Sequence, residues 1–218
     1  MKKDTVVEQA YTILKEQIVT LKLRPGQILM VQQLAIELGF SRTPVREALI
    51  RLKEELFVTE AEGNKFKVSD ISWKWIQDNY MARIILEEAA IAHAVQHATR
   101  DQIRQLKKIV KEMEAVLKTI DYAAYFELDC LFHKSIVGIS GNAILINWVE
   151  QTSDHQQRIR YCTMGQSSEM ERSLVEHADM VRYIEERNSE AACTVSTAHL
   201  ERALKEMMKL RESFTWLS

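Results

Sequence analysis

The chain has 218 residues, 46% of them hydrophobic and 28% charged, with a formal net charge of −2. That length suits one large or two small domains with apolar cores of their own. No apolar run reaches the roughly 18 residues of a membrane-spanning helix, so a membrane partner is not expected.

Cys130, Cys162 and Cys193 are odd in number and widely scattered, which fits reduced thiols better than a disulfide framework. Met1-Lys2-Lys3-Asp4 leads into an amphipathic segment without the apolar block of a signal peptide, and the expected location is the cytoplasm. Charge is unevenly placed. Residues 1–70 carry +1 and residues 71–218 carry −3, yet Arg42, Arg46, Arg51 and Lys53 against Glu47 give a local +3 within 42–53.

The first predicted element is a helix over 5–20, with Val6, Ala10, Ile13, Leu14 and Ile18 on one side. Leu23-Arg24-Pro25-Gly26 is a turn. A short helix over 31–38 turns Leu34, Ala35 and Leu38 inward and stops at Gly39. Ser41 then reads as the N-cap of a further helix, and Pro44 is tolerated in a first turn whose N–H groups lack intrahelical partners. Val45, Ala48, Leu49 and Leu52 form its apolar seam, while Arg42 and Arg46, four residues apart, share an exposed face. Two short helices joined by Gly39-Phe40-Ser41 make a helix-turn-helix, and paired guanidinium forks on the second suit guanine in the major groove of DNA. Phe57-Val58-Thr59, a turn over 60–64 and alternating Lys65-Phe66-Lys67-Val68 follow as a hairpin, a wing.

Residues 5–69 resemble the winged-helix domain of the GntR superfamily of bacterial transcription regulators. The resemblance lies in Leu23-x-Pro25-Gly26, Leu34-Ala35-x-x-Leu38-Gly39 and Ser41-Arg42-Thr43-Pro44-Val45-Arg46-Glu47-Ala48-Leu49. It implies a double-stranded DNA partner, a pseudo-palindromic operator bound by a homodimer. Arg42 and Arg46 would then touch bases, Ser41 and Thr43 phosphate, and Gly63 the minor groove. Gln32 stands where relatives often carry arginine and is kept as a DNA-facing candidate. So is Arg51, from the local charge. Glu62 stands where some relatives carry histidine.

Past Ser69-Asp70-Ile71-Ser72 the pattern is helical, with predicted helices over 73–98, 100–119, 121–139, 142–163, 167–187 and 188–212. Six such helices make an antiparallel bundle. The expected fold is therefore mainly α: a winged helix-turn-helix over 1–70 and an all-helical domain over 71–218. In the second part Asp129 and His133 are i,i+4 on one helix face, and His177 and His199 lie mid-helix on two later segments. One carboxylate and three imidazoles suit Zn, Ni, Mn or Fe with positions left open. A lone helical histidine is more often a surface or hydrogen-bonded residue, so spacing leaves both readings open.

Residues 72–212 resemble the FCD ligand-binding domain of the FadR branch of that superfamily, in its shorter six-helix, VanR-type variety. The match is Asp129-x-x-x-His133, then His177 after Glu176 and His199 before Leu200. The resemblance implies a divalent transition metal on these four residues, zinc by default, and a small carboxylate effector on its open face. Arg83, in Arg83-Ile84-Ile85-Leu86-Glu87, either meets that carboxylate or pairs with Glu87 one turn on. Asn147, Arg158 and Arg160 lie on a helix that could line the pocket.

Other polar groups read more plainly. His93 and His97 are expected to face outward, Cys130 to belong to the core, His155 to face solvent or a pocket rim, and Trp73 and Trp75 to pack at the domain junction. The run from Lys107 to Glu112 reads as a solvated face. The expectation is a non-enzymatic, ligand-responsive regulator, most simply a repressor. A metal-ion sensor of the same fold and a metal-dependent hydrolase built on the Asp/His set are the alternatives.

Overall fold

Why the chain folds as it does is clearest at its helix ends. The computed structural model describes residues 5–163 and 170–209, the side chains of 161–163 excepted. Met1–Asp4, the Cys162 thiol and the stretches 167–169 and 210–212 of two expected helices lie outside the described residues. The chain divides into two units, Met1–Ser72 with Arg158–Cys162, and Trp73–Gln157 with Thr163–Ser218.

In the first unit α1 (Val6–Val19) starts at Thr5, whose hydroxyl accepts the Glu8 N–H. The short strand β1 (Ile28–Leu29) precedes α2 (Val31–Leu38). Gly39 ends α2 in the left-handed conformation, φ 69°, and its N–H and that of Phe40 return to the last turn. Then α3 (Arg42–Glu54) begins, with Val45, Ala48, Leu49 and Leu52 wholly buried at the predicted spacing. They pack against Leu14 and Ile18 of α1 and Phe57 and Phe66 below, each worth about 1.5–3 kcal/mol over exposure. At the front of α1 the periodicity misleads: Val6 is exposed and Tyr11 is buried instead.

The wing is longer than its sequence suggests. β2 (Val58–Ala61) and β3 (Lys65–Val68) pair antiparallel with Val58 opposite Val68 and Ala61 opposite Lys65. Glu60 and Ala61, expected in the turn, are therefore ladder residues. The turn shrinks to Glu62-Gly63-Asn64 because Gly63 and Asn64 both accept positive φ, 72° and 58°. β1 adds a third strand, in the order β1-β3-β2, with Leu29 opposite Phe66. Two residues are too few to display alternation, so β1 carries no sequence signal.

The second unit is the expected all-helical bundle. Its helices are α4 (Trp73–His97), α5 (Arg100–Lys118), α6 (Tyr122–Ile139), α7 (Ala143–Thr163), α8 (Met170–Glu185) and α9 (Ser189–Lys209). Thr99 and Gln102 form a reciprocal capping box at α5, and Asp121 caps α6 through the Ala124 N–H. Helix α4 packs on α6, α8 and α9, α5 on α6 and α8, and α8 on α9. Phe132, Ile136, Met180, Ile184 and Leu106 belong to the apolar core that surrounds the polar residues described next.

Candidate functional site

The exposed side of α3 begins at Ser41, whose extended backbone (φ −75°, ψ 166°) ends at the helix start. Its side chain makes no capping hydrogen bond, so the expected hydroxyl cap is absent and the hydroxyl stays on the exposed face. Arg42, Thr43 and Arg46 follow, all exposed. With Gln32 of α2 and Gly63, Asn64 and Lys65 of the wing they line a single concavity of about 590 Å³. Lys65 and Asn64 were not singled out by sequence; a cation and an amide flanking the wing glycine are the signal.

Arg51 does not join this surface. Its guanidinium lies 3.6 Å from the Tyr11 ring centroid, Nη1 is 2.8 Å from Glu8 Oε2, and Nε is 3.4 Å from Glu55 Oε1. Glu8 and Tyr11 of α1 and Glu55 at the end of α3 hold it, apart from the residues that line the concavity. Lys53 is likewise paired, to Glu60 at 2.7 Å. With Arg51 and Lys53 paired, Arg42 and Arg46 remain on the concave face beside Glu47.

In the bundle, Tyr125, Asp129, Phe132, His133 and Ile136 form the buried stripe of α6. Asp129 and His133 occupy positions where an apolar side chain would ordinarily sit. His177 comes from the buried stripe of α8 and His199 from that of α9. All four are buried, and one ligand atom from each lies within 4.8 Å of the others. The imidazole centroids are 4.7 to 5.4 Å apart, Asp129 Oδ1 is 3.4 Å from His177 Nε2, and the Phe132 ring closes one side at 4.5 Å from His177.

Two further carboxylates orient the rings. Glu87 of α4 places Oε2 2.6 Å from His133 Nδ1, and its Oε1 accepts from Arg83 Nε at 2.7 Å. Glu176 of α8 places Oε2 2.7 Å from His199 Nδ1 and accepts from Arg202 Nε and Nη2 at 2.8 and 2.5 Å. Burial would raise the Glu87 pKa, but the charges of Arg83 and His133 prevail and hold it at about 2. At Glu176 burial is likewise overcome, by hydrogen bonds from His199 and Arg202, and the carboxyl again sits at about 2. An ionised carboxylate only accepts, so Nδ1 of both rings carries a hydrogen. His133 Nε2 is buried with no hydrogen-bond partner, and burial lowers the pKa of His199, which favours its neutral, ligating form.

A divalent ion fits these donors. Ions of this class bind nitrogen and oxygen at about 2.0–2.2 Å, so tetrahedral ligand atoms stand about 3.4 Å apart, and the widest pair in the cluster closes by about an ångström around an ion. Neutral imidazoles with one carboxylate are a borderline donor set that transition metals favour.

The remaining sequence candidates fall elsewhere. Arg83, left between two readings by the sequence, is paired with Glu87. Asn147 is exposed, while Arg158 groups with the first unit and gives Nη2 to the Ser69 carbonyl at 2.5 Å. His155, expected at the surface, is buried edge-on to Trp75 at 4.8 Å between centroids, because its side of α7 faces α4. Trp73 is buried in its own right, Cys130 is half-buried, and His93 and His97 stack on each other at 4.0 Å. Glu176 and Arg202 were missed because the carboxylate next to His177 in sequence serves His199 on another helix. Among the described residues no helix is long and apolar enough to cross a membrane.

A three-stranded winged helix-turn-helix followed by this bundle defines a class, the DNA-binding transcription regulators with an appended helical domain. Residues 6–68 match the bacterial regulatory proteins of the gntR family, and residues 78–202 match the FCD domain. The chain belongs to the GntR family, in its FCD-containing group. It is 26% identical to the HTH-type transcriptional repressor RspR of Escherichia coli K12, over 98% of this chain and 94% of that protein. It is 30% identical to the HTH-type transcriptional regulator McbR of the same organism, over 69% of this chain and 68% of that one. Among solved structures, E. coli McbR/YncC superposes with a TM-score of 0.81 at 22% identity, covering 95% of this chain and 99% of that chain. A putative regulator from Rhodococcus superposes with a TM-score of 0.77 at 19% identity, covering 93% and 97%.

Proposed function

We propose that this regulator is a repressor whose hold on DNA is set by a small carboxylate bound at a metal ion in the helical bundle. The observation that carries the reading is the buried meeting of Asp129, His133, His177 and His199, two of whose rings are oriented by ionised carboxylates. Three imidazoles and one carboxylate meeting in a core are a donor set that suits a divalent transition metal. A divalent ion there supplies Lewis-acid positions that a carboxylate oxygen can fill.

The chain would act as a homodimer on a pseudo-palindromic operator, one α3 per half-site. Arg42 and Arg46 read base edges, Ser41, Thr43 and Lys65 meet phosphate, and Gly63 lets the wing tip approach the backbone closely. Control is a coupling free energy: an acid that prefers one arrangement of the bundle shifts the population competent for DNA. The repressor names of relatives such as RspR and the gluconate operon repressor of Bacillus subtilis, 32% identical over 62% of this chain and 55% of that one, support the sign of control.

The test is a titration on duplexes selected from a random pool by the zinc-loaded chain. Binding is followed by fluorescence anisotropy against zinc alone, then against acetate, citrate and gluconate with zinc present. The expected result is release by one of the acids only when zinc is bound. Switching by zinc alone would replace the acid-responsive reading with that of a metal sensor.

A further inference from the structure

Two arginine–glutamate pairs stand around the cluster in the same arrangement. Arg83 and Glu87 lie one turn apart on α4, and Glu87 reaches His133 on α6. Arg202, one turn beyond His199 on α9, holds Glu176 of α8 with two nitrogens, and Glu176 reaches back to His199. Arg202 also gives Nη2 to the Ser173 hydroxyl at 2.9 Å, which fixes the guanidinium on α8. Each relay runs arginine, carboxylate, Nδ1, and leaves Nε2 for the cluster.

Stability does not account for them. A buried ion pair seldom stabilises more than apolar residues of the same volume would, so its retention needs another reason. Arg83 and Glu87 have side chains only 3% and 4% exposed, and Arg202 and Glu176 only 8% and 15%. Both relays end on cluster rings, and on the nitrogen opposite the one a metal would take. Carboxylates in that position fix the tautomer and the ring plane and raise ligand basicity.

Resting on the metal reading above, we propose that Glu87 and Glu176 are positioning residues of the metal centre, each held by its arginine. Arg83 then acts on the ion through Glu87 and His133, and is not the anchor of the effector's carboxylate. Arg202 acts through Glu176 and His199 in the same way.

The experiment measures zinc affinity of the full chain by competition with a chromophoric chelator, and the visible absorption of the cobalt-substituted chain as a signature of ligand geometry. Glu176→Ala is expected to weaken zinc binding about 10–100-fold and to alter the cobalt spectrum. Glu176→Gln, which keeps an acceptor and loses the charge, should recover part of the loss. Arg202→Ala should weaken binding by itself but add no loss in a Glu176→Ala background, because the arginine works through the carboxylate. Glu87→Gln and Arg83→Lys should repeat the pattern. Should either fail to fold by circular dichroism, the more solvent-exposed Glu176 pair decides. Zinc affinity within twofold of the parent in Glu176→Ala, or an undiminished Arg202→Ala effect in that background, overturns the assignment. A parent chain that binds no zinc removes the metal reading itself, and the two failures are thereby distinct.

Discussion

At the scale of single residues, partners matter more than charge. Arg42, Arg46 and Arg51 sit on one helix and look alike in sequence, but only Arg51 is spent on Glu8, Glu55 and Tyr11. Arg46→Ala should cost about 1–3 kcal/mol of binding to a selected operator and relax preference at one base pair. Arg51→Ala should leave DNA affinity unchanged and instead lower thermal stability by up to about 1 kcal/mol, the range for a half-exposed pair. Anisotropy and thermal unfolding on the two variants check this. An Arg51 variant that loses operator affinity as Arg46→Ala does would return Arg51 to the DNA face. The same reasoning separates the buried histidines from the stacked pair His93 and His97. Both sets contain i,i+4 spacing, but His133, unlike His93 and His97, has a carboxylate on one ring nitrogen and lies in the buried cluster.

At the scale of elements, the bundle was legible because its punctuation is chemical. The predicted starts at 100 and 121 fall within a residue of the helices that Thr99 and Asp121 cap. What escaped was short or depended on a second element. The two residues of β1 reveal themselves only beside β3, and Glu60-Ala61 read as turn until Gly63 and Asn64 both take positive φ. Asp129, His133, His177 and His199 were found by spacing and resemblance. Glu176 and Arg202 were not, since no periodicity within one helix reports a bond across two. Of the described non-glycine residues at positive φ, Ile120, between α5 and α6, is the β-branched one, at φ 60° and 66% exposed. Left-handed backbone costs such a residue about 1–2 kcal/mol. Ile120→Gly should therefore raise the unfolding free energy by about 1 kcal/mol, read from the urea midpoint at unchanged slope. A lower midpoint would mean that Ile120 contributes packing its exposure does not suggest.

For the whole molecule, the two units divide the work. The first unit carries a charge of only +1 over residues 1–70, and Arg42, Arg46 and Lys65 line one concavity together with Glu47. Counterion release scales with phosphates neutralised, so in the proposed homodimer two such units would offer about six cations and a salt slope near −5 or shallower. The slope of log affinity against log salt for selected duplexes tests this, and a much steeper value would require cations outside the concavity. In that proposal specificity would rest on two arginines per half-site and on the spacing of the half-sites.

The proposed control by the second unit depends on the ion. Elemental analysis of the purified chain, grown in metal-replete medium and set beside His177→Ala with matched circular dichroism, is the direct measurement. The account predicts about one transition-metal ion per parent chain and a large loss in the variant. A metal-free parent, or equal metal in both, would contradict it.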